Sequence, residues 1–164
     1  MNKENSILII DDEVQIRRLL EITLRSNGFD TIEAVNGKEG VNLAASHQPG
    51  LIILDLGLPD SSGHTILKQL REWYTNPILI LSVQNTEEDI VKALDNGATD
   101  YLTKPFRTAE LLARIRSVIR RNQLQNDSSI LSCDDLQIDF GARVVKRNDE
   151  MLKLTSTEFN LLSL

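Results

Sequence analysis

The sequence predicts an α/β fold, a parallel sheet covered on both sides by helices and wound through right-handed crossovers. Three observations predict it. Short unbroken apolar runs recur at residues 7–10, 51–54 and 78–81, as strands buried on both faces require. Longer segments between them carry apolar residues at helical spacing. Strand and helix alternate five times and the pattern closes near Arg121, a normal domain size.

The elements follow in order. Ile7-Leu8-Ile9-Ile10 is the first strand, and Asp11, Asp12 and Glu13 follow at once. Ile16, Leu19, Leu20 and Leu24 give the first helix an apolar face, with Gly28 as its stop. Residues 30–35 make a weaker, edge-like strand. Asn36-Gly37 turns into a helix carrying Val41, Leu43, Ala44 and Ala45, ended by Pro49. The third strand, residues 51–54, ends on Asp55, and Gly57, Pro59 and Asp60 break the pattern into a loop. Ile66, Leu67 and Leu70 mark the third helix, and Asn76-Pro77 ends that connection. Residues 78–82 are the fourth strand. Thr86 caps the next helix, whose first turn holds Glu87, Glu88 and Asp89, and Gly97 closes it. Residues 100–103 are a short fifth strand ended by Lys104-Pro105. The last helix starts near Thr108, with Leu111, Leu112, Ile115, Val118 and Ile119 on one face.

Residues 1–121 thus form one domain, and the polar stretch 122–129 reads as a linker. Residues 130–164 change character. Leu131, Leu136, Ile138, Phe140, Val144, Val145 and Leu152 lie in short segments punctuated by Gly141 and Asn148-Asp149, the pattern of small antiparallel strands. Residues 155–164 begin a helix, so this second domain is expected to be incomplete.

Composition narrows the function classes. A net charge of −6 over 164 residues speaks against a nucleic-acid or membrane surface. A single cysteine, Cys133, forms no internal disulfide, as expected in a reducing cytoplasm. The start lacks a signal peptide's apolar core, and the apolar runs are too short to span a bilayer.

Asp11, Asp12, Asp55, Ser82 and Lys104 share one property: each lies at the carboxyl end of an expected parallel strand. In one sheet those ends face the same way, where open α/β sheets place their chemistry. Three crowded carboxylates repel one another and call for a hard cation, and an incomplete oxygen cage suits Mg²⁺. Asp55 would then attack a phosphoryl group, with Lys104 and Ser82 satisfying its oxygens. Taken singly, each residue has a plainer reading. Asp12 could cap the first helix with Gln15, Ser82 could end a strand in a turn, and Lys104 could be a solvated lysine. Their shared placement favours the joint reading. His47 and His64 read as isolated surface residues, Trp73 and Phe106 as packing, and Arg114, Arg116, Arg120 and Arg121 as a solvated or dimer face.

Asp11-Asp12, Asp55 within LDLGLPD, Ser82, and Lys104-Pro105-Phe106 within DYLTKPF resemble the receiver domain of two-component response regulators over residues 5–121. Residues 154–164, LTSTEFNLLSL, resemble the start of the winged-helix effector domain of the OmpR/PhoB subfamily. LDLGLPD and Ile16-Arg17-Arg18-Leu19-Leu20 are most similar to a branch that regulates potassium-uptake genes. The resemblance implies a flavodoxin-like sheet of strand order 2-1-3-4-5. It makes Asp55 the phosphoacceptor, served by a sensor histidine kinase, so the chain is a substrate and switch more than an enzyme. Mg²⁺ would be held by Asp12 and Asp55 directly, by Asp11 through water, and by the Gly57 carbonyl. Ser82 and Tyr101 would be the switch pair, and Lys104-Pro105 a cis peptide. Gln84 stands where many relatives carry arginine, which bears on the phosphate lifetime.

Phosphorylation is expected to drive homodimerisation through the fourth helix, fifth strand and fifth helix. Asp100 and Arg114 match one charge pair of that face. Glu110 and Arg121 match halves of two others, whose partners here are Ile90 and Thr99, so the dimer is expected to be weak. The full-length protein would bind DNA. This fragment is expected not to, since it ends before a recognition helix and residues 122–164 carry four basic against seven acidic side chains. Two other classes compete: a Mg²⁺-dependent aspartyl-phosphate phosphohydrolase, and a stand-alone receiver acting by protein contact. The first usually carries a second aspartate two residues after the nucleophile, where this chain has Gly57.

Overall fold

The protein is described from a computed structural model covering residues 2–128, 130–133, 136–139, 144–147 and 150–152. It divides into two compact units, residues 1–119 and 120–164. In the first, β1 (Ser6–Ile10), α1 (Val14–Ser26), β2 (Asp30–Ala34), α2 (Gly37–His47), β3 (Leu51–Leu54), α3 (Gly63–Arg71), β4 (Ile78–Ser82), α4 (Glu87–Asp95) and β5 (Asp100–Thr103) alternate, followed by α5 (Thr108–Ser128), whose last residues belong to the second. The five strands are parallel, in the order β2-β1-β3-β4-β5.

Strand alternation sorts the core into two layers. Leu8, Ile10, Ile52, Leu54, Ile78 and Ile80 face one way and meet Ala44 of α2, Ile66, Leu67 and Leu70 of α3, and Ala93 of α4. Ile7, Ile9, Ile53, Leu79 and Leu81 face the other way and meet Leu20 and Leu24 of α1 and Leu111, Ile115 and Val118 of α5. The unbroken apolar runs are thus buried on both sides of the sheet.

The ladder continues one residue past three strands, and this fixes the carboxyl edge. The Asp11 amide donates to the Ala34 carbonyl at 3.1 Å and the Asp55 amide to Ile10 at 2.9 Å. The Lys104 amide donates to Ser82 at 2.8 Å. At the start of α3, the Gly63 amide donates to the Leu56 carbonyl at 2.9 Å. A Cβ on Gly63 would lie 2.3 Å from the Leu56 Cα, so only glycine allows α3 to begin against the strand end.

The second unit holds a four-stranded antiparallel sheet of β6 (Ile130–Cys133), β7 (Leu136–Asp139), β8 (Val144–Arg147) and β9 (Glu150–Leu152), in that order. Ile138 and Val145, opposite each other in the register, are both buried. The LTSTEFNLLSL segment lies outside the described residues.

Two single-residue expectations, for His64 and Trp73, are corrected, and the structure also bears on the linker stretch and on the cap of α1. Helix α5 runs on to Ser128, through most of the stretch read as a linker, because residues 108–128 contain neither glycine nor proline to stop it. Asp12 does not cap α1; the N-cap residue is Glu13, whose amide is taken by Asp11 Oδ1 at 2.9 Å. His64 is not a surface residue. It lies on the inner face of α3, 7 % exposed, with both ring nitrogens buried and without a hydrogen bond among the described residues and Nε2 4.0 Å from Asp89 Oδ1, which no sequence periodicity flags because a histidine is not counted as apolar. Trp73, read as packing, is 44 % exposed and meets Tyr74 edge to face.

Candidate functional site

The extended ladder brings Asp11, Asp12, Asp55 and Lys104 to one point of the sheet edge. Asp11, Asp12 and Asp55 each offer a carboxylate oxygen, and these oxygens lie within 4.8 Å of one another. Asp11 and Asp55 are buried, whereas Asp12 is exposed. The Lys104 ammonium stands among them, donating to Asp11 Oδ2 at 2.8 Å, Glu13 Oε1 at 3.1 Å and Asp55 Oδ2 at 3.4 Å. The Gly57 amide donates to Asp55 Oδ1 at 3.1 Å, which fixes the carboxylate's plane. The Lys104–Pro105 bond is cis.

Electrostatics follow from this crowding. Burial pushes the Asp11 carboxyl above its ordinary range; the Lys104 hydrogen bond opposes this and the Asp55 charge adds to it. Burial also works against the Lys104 charge, but the Asp11 hydrogen bond and the Asp11 and Asp55 charges outweigh it and hold the ammonium above its usual range. The oxygens suit a hard divalent cation, and Asp12 gives it a solvent-facing ligand.

Ser82 and Tyr101 meet at one residue. The fully buried Ser82 hydroxyl accepts from the Gln84 amide at 3.2 Å, and the Tyr101 hydroxyl donates to the Gln84 carbonyl. Burial, with the charges of Asp89 and Asp55, raises the Tyr101 pKa, so the phenol stays a donor. On the α4–β5–α5 side, Arg114 binds Asp100 Oδ2 at 3.1 Å and Glu110 Oε1 at 3.2 Å within the same chain. Thr99 turns inward, its hydroxyl accepting from the Ile78 amide at 3.1 Å and from Arg71 at 3.4 Å. Arg121 is exposed.

Sequence reasoning gave no role to Glu13 or Arg17. Glu13 is a third carboxylate on Lys104, and the run Asp11-Asp12-Glu13 was its only signal. Arg17, one helical turn on, donates to the Asp11 carbonyl at 2.9 Å and pairs with Glu33 at 3.6 Å. The Gln84 link is made by backbone groups, which every residue type supplies.

A parallel sheet of this order, with carboxylates and a lysine at its carboxyl edge, defines a receiver-type architecture. Residues 7–116 match the response regulator receiver domain, and the chain belongs to that family. It is 42% identical over 159 residues to the KDP operon transcriptional regulatory protein KdpE of Escherichia coli K12, covering 96% of this chain and 71% of that protein. The receiver domain of Klebsiella pneumoniae RstA, solved in its BeF3-activated form, superposes with a TM-score of 0.69 at 29% identity, over 71% of this chain and 99% of that one. DrrB, a Thermotoga maritima OmpR/PhoB homologue, superposes with a TM-score of 0.66 at 26% identity, over 96% of this chain and 70% of DrrB. The chain is a response regulator of the OmpR/PhoB type, with KdpE-like relatives.

Proposed function

We propose that this chain is the phosphorylation-controlled part of a cytoplasmic transcription regulator in a two-component pathway. The observation that carries it is the buried Asp55 carboxylate, 3.4 Å from the Lys104 ammonium and beside Asp11 and Asp12. Asp55 attacks the phosphorus of a phosphohistidine on a sensor kinase. A P–O bond forms as the P–N bond breaks, and the imidazole leaves. Asp11, Asp12, Asp55 and the Gly57 carbonyl would hold Mg²⁺, which would supply charge neutralisation at the phosphoryl oxygens. Lys104 neutralises a second oxygen and Ser82 donates to a third. The Ser82 hydroxyl can do this while still accepting from the Gln84 amide, and as it moves Tyr101, tied to the same residue, follows. The α4–β5–α5 face then forms a two-fold dimer that controls DNA binding in the longer protein, with potassium-uptake genes as the targets its KdpE relatives point to.

A phosphohydrolase reading is disfavoured by Gly57. A side-chain carbon there would stand 3.9 Å from Asp55 Oδ1, in open space where an acid/base group belongs, and none is present. The antiparallel unit after α5 supports a regulator with an effector region over a stand-alone receiver. No helix among the described residues is long and apolar enough to cross a membrane.

Mass spectrometry after incubation with acetyl phosphate and Mg²⁺ tests the reading. One phosphoryl group is expected on the parent and none on Asp55→Asn. An equal mass gain in both refutes it.

A further inference from the structure

We propose that Asp60 is a positioning residue for phosphoryl transfer, pinning the β3–α3 loop to the first two amides of α2 and so setting where Gly57 stands beside Asp55. This rests on the proposed function. The loop spans residues 55–62, between the end of β3 and the start of α3. Its near part is tied down by the Gly57 amide on Asp55 Oδ1 and by the Gly63 amide on the Leu56 carbonyl. Its far part projects to the surface, where Asp60 is exposed. Both oxygens of that exposed carboxylate are nevertheless used. Oδ1 accepts from the Gly37 amide and Oδ2 from the Lys38 amide, each at 2.9 Å. These two bonds hold the Asp60 carboxyl below the usual carboxylate range, so it keeps its charge against the positive end of α2.

The anchor at the other end is firm. A Cβ on Gly40 would lie 2.6 Å from Ile10 Cδ1, so α2 rests on β1, and a Cβ on Gly37 would lie 2.6 Å from Ile66 Cδ1 of α3. Strand β1 leads directly into Asp11 and Asp12. Asp60 therefore joins the Asp55–Gly57 half of the site to the Asp11–Asp12 half through the start of α2. Capping α2 does not by itself require Asp60. Asn36 does that separately, its side chain accepting from the Glu39 amide at 2.8 Å.

That division supplies the test. The Mg²⁺ concentration giving half-maximal phosphorylation by acetyl phosphate is measured for the parent, Asp60→Ala, Asp60→Asn and Asn36→Ala, beside amide hydrogen exchange of residues 58–62 without Mg²⁺. Partners that orient metal ligands typically change affinity by about 10–100-fold when removed. Asp60→Ala is expected to raise the half-maximal Mg²⁺ concentration by about tenfold or more and to speed exchange in the loop. Asp60→Asn, with one oxygen left, should fall between. Asn36→Ala should lower thermal stability without moving either readout. A parental Mg²⁺ requirement in Asp60→Ala overturns the proposal, and so does an equal shift in Asn36→Ala, which would mean that fraying of α2 is the cause. If the parent takes no phosphoryl group, the proposed function has failed, and unchanged loop exchange in Asp60→Ala still refutes the pinning itself.

Discussion

Replacing Lys104 with methionine should destabilise the receiver unit most when Mg²⁺ is absent. The ammonium lies 2.8 Å from Asp11 and 3.4 Å from Asp55, and those side chains are 3 % and 6 % exposed. At an effective dielectric of about 20, the gross attractions are about 6 and 5 kcal/mol, most of which desolvation offsets. Deleting one partner of a buried pair costs about 3–5 kcal/mol net. Glu13, 54% exposed, adds less than about 1 kcal/mol. The lower figure, about 3 kcal/mol, applies because each carboxylate keeps a backbone amide donor, Glu13 on Asp11 and Gly57 on Asp55. A divalent cation should replace the missing charge and bind the variant more tightly than the parent. Saturation at about 100 times the dissociation constant contributes about 2.7 kcal/mol, and tighter binding contributes more. Urea unfolding followed by Trp73, the only tryptophan, reports the receiver unit alone. The expected gap between parent and Lys104→Met is about 3 kcal/mol in chelator and at least about 1 kcal/mol smaller in saturating Mg²⁺. A gap that Mg²⁺ leaves unchanged refutes the reasoning, since Lys104 would then not share its carboxylates with the cation.

Two further outcomes follow from the geometry. Gly63→Ala should cost about 3 kcal/mol, because its Cβ would meet the Leu56 Cα at 2.3 Å and the Asp55 carbonyl oxygen at 2.6 Å, and backbone cannot yield as a side chain does. Gly57→Ala, whose Cβ meets nothing nearer than 3.9 Å, should change stability by about 0.5 kcal/mol or less, and equal losses in urea unfolding would contradict this. Ile90→Lys should tighten the dimer of the beryllofluoride-activated protein, since it offers Glu110 a basic partner twice by symmetry, at about 0.2–1 kcal/mol per exposed pair. Sedimentation showing no tightening would exclude the α4–β5–α5 face or the Glu110 contact.

The sheet and the site's edge were legible because strands buried on both faces leave unbroken apolar runs; Asp11, Asp12, Asp55 and Ser82 follow such runs, and Lys104 follows the short strand DYLT. Asp11, Asp55 and Lys104 needed only the parallel arrangement to converge. The part that escaped is written in geometry that many residue types satisfy. Gln84 links Ser82 and Tyr101 through its amide and carbonyl, so its side chain gives no clue. Asp60 read as a turn residue, and only the packing of α2 against β1 brings two amides to its carboxylate. Thr99 read as a missing dimer partner for Arg121. The fold instead turns it toward Arg71, whose guanidinium also reaches the carbonyls of Gly97, Tyr74 and Asn76, each at 2.8 Å. The polar stretch after Arg121 is helical up to Ser128 for the opposite reason. Polar composition marks exposure, and an exposed helix end is as polar as a coil when no glycine or proline breaks it.

The position of Lys104 couples the two cations of the proposed site. Its ammonium sits closer to Asp11, at 2.8 Å, than to Asp55, at 3.4 Å, and also holds Glu13. To meet a phosphoryl oxygen on Asp55 it must loosen those first two contacts, which leaves Asp11 buried beside other carboxylates without a counter-charge. A divalent cation near Asp11 and Asp12 supplies that charge. Asp11 and Asp12, by holding a divalent cation, would thus leave Lys104 available to the phosphoryl group as well. Under this reading, binding of Mg²⁺ and release of Lys104 from Asp11 are one event. Without the cation, phosphorylation would then be slowed because Lys104 is already engaged by Asp11 and Glu13, as well as because the phosphoryl group lacks electrophilic activation.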